Sequence, residues 1–137
     1  MKPTKTFWEY NNFFKIFVTL WTLIVLFLSL SSFENLQVPI KVSGFDKMAH
    51  FVMYSLYAFL LIFSFKDIKA KKINFYLYIF LYLFLFGLFI EFLQGITTEK
   101  RKTDMEDALA NGIGALIGIV VAYAIIKRVK KNSLIII

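Results

Sequence analysis

Four long apolar runs, separated by short charged segments, constrain this chain more than any other feature. A helix needs about 20 apolar residues to cross a bilayer core. Runs of about that length lie over residues 13–32, 48–65, 73–94 and 108–126, and they carry Lys15, His50, Glu91 and Asn111 respectively. Spanning strands would need alternating polarity and a closed barrel, and no alternation is visible. The sequence therefore predicts an all-α membrane protein, one four-helix bundle domain over residues 1–137. The apolar tail after Ser133 is far too short to span.

Composition agrees. Hydrophobic residues make up 59% of the chain and charged residues 18%, against roughly 45–50% and about 25% in soluble domains. The absence of cysteine excludes disulfides, thiolate nucleophiles and thiolate zinc sites. A net charge of +7 by itself suggests nucleic acid. Its distribution argues against that partner, because the lysines stand in short blocks beside apolar runs, where anionic lipid head groups lie. Membrane lipids are the expected partners.

The first run, with Lys2, Lys5 and Lys15 ahead of it, also resembles a signal peptide. It is long for that role, and Phe33 follows Ser29, Ser31 and Ser32 without a clear small-x-small site. It is read here as a retained span. Orientation follows lysine and arginine. Lys2, Lys5 and Lys15, then Lys66, Lys69, Lys71 and Lys72, then Lys127, Arg128, Lys130 and Lys131 fall on one side. The other side has fewer: Lys41, Lys47, Lys100, Arg101 and Lys102. Both termini are thus expected in the cytoplasm.

This topology gathers the unusual polar residues at the outer face. The second helix begins there with Asp46, Lys47, His50 and Tyr54, and the third ends there with Glu91 and Gln94. The loop with Arg101 and Asp104 follows, and the fourth helix begins with Asp107 and Asn111. Asp46, His50 and Tyr54 recur every fourth residue, so they share a helix face. Gly87, Glu91 and Gln94 do the same, as do Asp104, Asp107 and Asn111 if a helix begins near Thr103. Thr103 or Asp104 would cap it, and an acidic first turn suits its dipole. A charged group costs roughly 2.5–3.5 kcal/mol at the centre of a span. Glu91, nearer the end, should face inward toward His50, Arg101, Lys47 or Asn111. Ala110, Gly114, Gly118 and Ala122 form a small-residue stripe of the kind that lets backbones approach closely.

In this order the residues resemble the VanZ-like membrane proteins. The matching pieces are Asp46-Lys47-Met48-Ala49-His50-Phe51 with Tyr54, then Gly87 and Glu91-Phe92-Leu93-Gln94. Arg101, Asp104, Asp107-Ala108-Leu109-Ala110-Asn111, Gly114 and Gly118 complete the pattern, so the resemblance covers residues 44–126. The sequence departs from it after Gln94, where Thr97, Thr98 and Glu99 stand in place of a more proline-rich stretch. The resemblance implies a bacterial inner-membrane protein of the cell envelope. The family's named member is linked to low-level tolerance of teicoplanin-type glycopeptides. The resemblance supplies no biochemical activity.

For the cluster itself, several readings stand. Asp46, His50, Glu91, Asp104 and Asp107 are the candidates for catalysis, and they are chemically adequate for a divalent cation or for general acid and base work. No HExxH-type spacing is present, and there is one histidine. The same groups can equally be a structural ion-pair network. Lys47, Tyr54, Gln94, Arg101 and Asn111 are candidates for binding substrate. The basic ones, with Lys100 and Lys102, suit a phosphate or pyrophosphate head group or ordinary interfacial lipid contact. The expected function is an envelope protein with an outer polar site for a lipid-linked precursor or a glycopeptide. The alternatives are an enzyme acting on a lipid-linked phosphate and a non-catalytic accessory subunit that holds a partner through the small-residue stripe. An enzyme would tolerate Gly118→Ala and fail on Glu91→Gln, and an accessory subunit would do the reverse. No cofactor is named by the sequence.

Overall fold

A computed structural model gives four helices: α1 (Tyr10–Leu30), α2 (Phe45–Phe63), α3 (Ile73–Thr97) and α4 (Met105–Leu134). The structure describes residues 10–30, 44–65, 72–97 and 105–134, and among these there is no strand. All four helices are long and apolar enough to cross a membrane. The chain is a multi-pass membrane protein, and large apolar side chains such as Leu23, Phe27, Leu85, Ile113 and Val120 point outward from the bundle.

The helices alternate in direction. At one end Gln94 of α3 reaches Ser29 of α1, and His50 of α2 reaches Asn111 of α4. At the other, Phe14 of α1 packs on Phe63, and Tyr76 of α3 packs on Tyr123. Helices α2 and α4 therefore run parallel, and their pairing is the most extensive in the bundle. The least apolar helix occupies the middle. Helix α2 has a mean hydropathy of 1.2 against 2.3 for α1, and it packs against all three others. Its polar residues are accommodated there, while α1 gives most of its surface to lipid.

Two glycines set the α2–α4 spacing. A Cβ on Gly114 would fall on the carbonyl oxygen of Phe51, and one on Gly118 would fall on that of Ser55. The stripe thus lies against α2 of the same chain, with Ala122 buried and Ala110 half-buried along it. Helix α1 is tied on by polar contacts. The Trp21 indole N–H donates to the carbonyl of Met53 at 3.1 Å, and Thr22 Oγ1 lies 2.7 Å from the Tyr57 hydroxyl. Trp21 is therefore a mid-span link between helices rather than an interfacial anchor.

Most helix ends shift by two or three residues from the apolar runs of the sequence, and two of the differences matter for the site and the membrane boundary. Helix α2 starts at Phe45, after Gly44 in the left-handed region (φ 86°), so Asp46 and Lys47 stand in its first turn. Helix α4 continues past residue 126 to Leu134. Thirty residues span about 45 Å at 1.5 Å each, well beyond a bilayer core of about 30 Å. The apolar run ends before the helix does, because lysine and arginine favour helix and suit its C-terminal dipole.

Gly118→Ala should destabilise the bundle by about 1–3 kcal/mol, since a methyl group meets backbone rather than a movable side chain. Leu116→Ala on the outward face should change little. Unfolding of the detergent-solubilised variants against wild type checks both.

Candidate functional site at the convergent helix ends

Three helix ends bring one imidazole, two carboxylates and one amide together. His50 comes from the second turn of α2, Glu91 from the last third of α3, and Asp107 and Asn111 from the start of α4. The glycine contacts fix this register. With Gly114 against Phe51, Asn111 one turn earlier falls beside His50. The positions are buried: Asn111 is 1% exposed, Glu91 2% and His50 8%.

The distances define the chemistry. His50 Nδ1 lies 3.0 Å from Asn111 Oδ1. An amide oxygen only accepts, so Nδ1 carries the hydrogen. Glu91 Oε1 lies 3.9 Å from the same nitrogen, and Asp107 Oδ2 lies 3.8 Å from Nε2 on the other side of the ring. Lys47 closes the mouth of the site, with Nζ 3.2 Å from Glu106, 3.7 Å from Asp107 and 4.0 Å from Asp46. The Glu106 and Asp46 pairs are exposed and add little to stability. Asp107 is mostly covered and connects this rim to the buried centre.

Deeper in the bundle the polar column continues. Gly87, one turn below Glu91, leaves room for two neighbours. A Cβ there would lie 3.1 Å from Asn111 Nδ2 and 3.3 Å from the Tyr54 ring. Tyr54 is fully buried, and neither its hydroxyl nor Asn111 Nδ2 has a hydrogen-bond partner among the described residues. One turn further, Tyr57 bridges Thr22 at 2.7 Å and Tyr82 at 3.5 Å.

The candidates of the sequence separate into groups. His50, Glu91, Asp107 and Asn111 form the buried centre, Tyr54 lies below it, and Lys47 stands at its mouth. Asp46 is turned away: its Oδ1 accepts from the backbone N–H of Lys47 at 2.9 Å, and its side chain is largely exposed. Gln94 donates through Nε2 to the Ser29 carbonyl at 2.7 Å, so it also holds α1 to α3. Arg101 and Asp104, with Lys100, Lys102 and Thr103, lie outside the described residues. Sequence spacing gave no sign of Thr22, Ser29, Tyr57 or Tyr82, because hydroxyls within an apolar run satisfy no motif.

The VanZ/LLP1 family model matches residues 1–127 and so includes α1 as well as the three helices that carry the cluster. Neither a curated protein nor a solved structure matches the chain.

Asn111→Leu should leave the buried His50 N–H without an acceptor, and it should destabilise the protein by about 1–3 kcal/mol. A double-mutant cycle with His50→Leu should give a clear coupling energy. Additive losses would mean that the two side chains do not support one another.

Proposed function

We propose, since this chain belongs to the VanZ/LLP1 family, that it is an envelope protein of the bacterial cytoplasmic membrane whose outer polar site recognises a lipid-linked precursor. Contribution to tolerance of teicoplanin-type glycopeptides follows from that recognition. The observation that carries the reading is the burial of Glu91 with His50 and Asn111, beside a half-buried Asp107, at one end of the bundle. Ionisable groups inside a span are expensive, and they mark functional sites more often than scaffolding.

Both termini lie in the cytoplasm in this reading. The lysines and arginines of the second loop and the α4 extension support it. The site then opens at the extracytoplasmic face, beside Lys47, at the depth of lipid head groups. A pyrophosphate there would meet the Lys47 ammonium directly. The buried donors of Tyr54 and Asn111 supply further recognition of oxygen atoms.

Two measurements test this. A reporter fused after Lys131 should be active only on the cytoplasmic side, and a periplasmic signal would put the cluster on the wrong face. A teicoplanin-sensitive host expressing the wild type should gain tolerance over one expressing Glu91→Gln at matched membrane levels. Equal tolerance from the two would remove Glu91 from the role.

A further inference from the structure

We propose that the groove between α3 and α4, at the end of the bundle away from the polar site, holds an acyl chain of one anionic phospholipid whose phosphate meets Lys72 and Lys127. The inference does not depend on what the polar site does.

The groove is built from two turns of each helix. Tyr76 and Ile119, 6% and 8% exposed, form its floor. Leu77 stands on one wall, and Val120 and Tyr123 on the other, all exposed. Phe80, stacked on Phe84 with the ring centroids 5.9 Å apart, stands at its deep end. Nearer the helix ends the Tyr76 and Tyr123 rings meet edge to face at 5.5 Å and hold the two helices together. The cavity volume is about 540 Å³, within the roughly 300–1,000 Å³ of sites that hold small molecules. Its lining is almost wholly apolar. Left empty, it would forfeit dispersion contacts along both walls, so in a bilayer it takes hydrocarbon. From Ile73 to Phe80 the helix rises about 10.5 Å at 1.5 Å per residue, room for part of an extended acyl chain.

Charge decides which lipid supplies that chain. Helices α3 and α4 run in opposite directions, and Lys72 and Lys127 each lie one turn beyond the Tyr76–Tyr123 contact, so the two stand at one level. Ile73 begins the apolar run of α3 and Ile126 ends that of α4. Both ammonium groups are therefore at the boundary between hydrocarbon and head groups. Helix periodicity continues the α4 wall from Leu116, Val120 and Tyr123 to Lys127 and on to Lys130. Among the described residues this end carries Lys15, Lys72, Lys127, Arg128, Lys130 and Lys131, whereas the carboxylates Asp46, Glu91, Glu106 and Asp107 all lie toward the other. Such a field favours a lipid with net negative charge, by roughly fivefold in affinity per lysine near the surface. Asn74, which lines the groove in the first turn of α3, offers amide N–H groups to phosphate or ester oxygens. With both termini in the cytoplasm, this lipid comes from the inner leaflet. It would tie α3 to α4, whose pairing is less extensive than that of α2 with α4.

The test is native mass spectrometry of the full chain in detergent, titrated with phosphatidylglycerol or with phosphatidylcholine of the same acyl chains. Wild type should take up one phosphatidylglycerol at least about tenfold more tightly than phosphatidylcholine. Lys72→Gln and Lys127→Gln should each weaken phosphatidylglycerol by about fivefold and leave phosphatidylcholine unchanged. Lys15→Gln, which removes an equal charge from the same end on α1, should match wild type. Val120→Trp, with every lysine in place, should fill the groove and abolish the tight site. All four side chains are exposed, and circular dichroism establishes that each variant is folded. Equal weakening by Lys15→Gln would assign the attraction to the general field of that end and overturn the proposal. Equal uptake of the two lipids, tight uptake that survives Val120→Trp, or equally tight binding of glycerol phosphate, which has no acyl chain, would overturn it too. So would a dimer that Val120→Trp dissociates, because the groove would then belong to a second copy of the chain.

Discussion

The close approach of α2 and α4 at Gly114 and Gly118 is the contact on which the rest of the bundle depends. Inside a bilayer, apolar side chains gain little by meeting one another rather than lipid, so helix pairing relies on tight packing and on polar contacts. Where the missing Cβ atoms let α4 lie on the carbonyls of Phe51 and Ser55, both sources of stability are brought into register. The same helix face, one turn toward the α4 start, carries Asn111 to His50, and a further turn carries Asp107 to the other side of the ring. A wider crossing would leave Asn111 and the imidazole unpaired in a buried position.

The buried polar groups depend in turn on α3. Gly87 is the point at which α3 yields to Asn111 and Tyr54, and that concession brings Glu91, one turn on, within reach of His50. A larger residue at Gly87 would push α3 away from the site and take Glu91 with it. Below, the Thr22, Tyr57 and Tyr82 hydroxyls join α1, α2 and α3 at mid-depth. A hydroxyl partner in hydrocarbon is worth roughly half to two kcal/mol, enough to orient an otherwise lipid-exposed α1. The polar column is thus the means by which the least attached helix is held.

Much of this was legible in the sequence, for identifiable reasons. Span length and the absence of alternation are properties of the bilayer, so the four helices and their order followed from apolar runs alone. Helix periodicity put His50, Glu91, Asp107 and Asn111 at one end and on definable faces. What periodicity does not reveal is the direction of a first-turn side chain. Asp46 shares a face with His50 by spacing, yet it turns to its neighbour's backbone N–H and to solvent, where an exposed carboxylate is better hydrated. Nor does spacing reveal partners in another helix, and so Trp21, Thr22 and Ser29 were silent: each is an ordinary residue of an apolar run until Met53, Tyr57 and Gln94 lie opposite. Helix α4 runs on past the apolar run because hydropathy locates the membrane boundary, whereas the helix ends where its backbone bonding does.

The position of the small-residue stripe also changes how the functional alternatives can be told apart. From sequence alone, tolerance of Gly118→Ala separates an enzyme from an accessory subunit, on the premise that the stripe is a surface open to a partner. In the structure the face is covered by α2 of the same chain, and the added methyl group meets the Ser55 backbone. Loss of function at Gly118 therefore follows under every reading, through the fold and with it the site. A discriminating substitution has to leave the α2–α4 crossing intact and alter charge without changing volume. Glu91→Gln meets both conditions: it keeps the shape of a side chain that is 2% exposed and removes the charge that faces His50. Its effect reads the chemistry of the site, whereas any change along the glycine stripe reads the packing that creates the site.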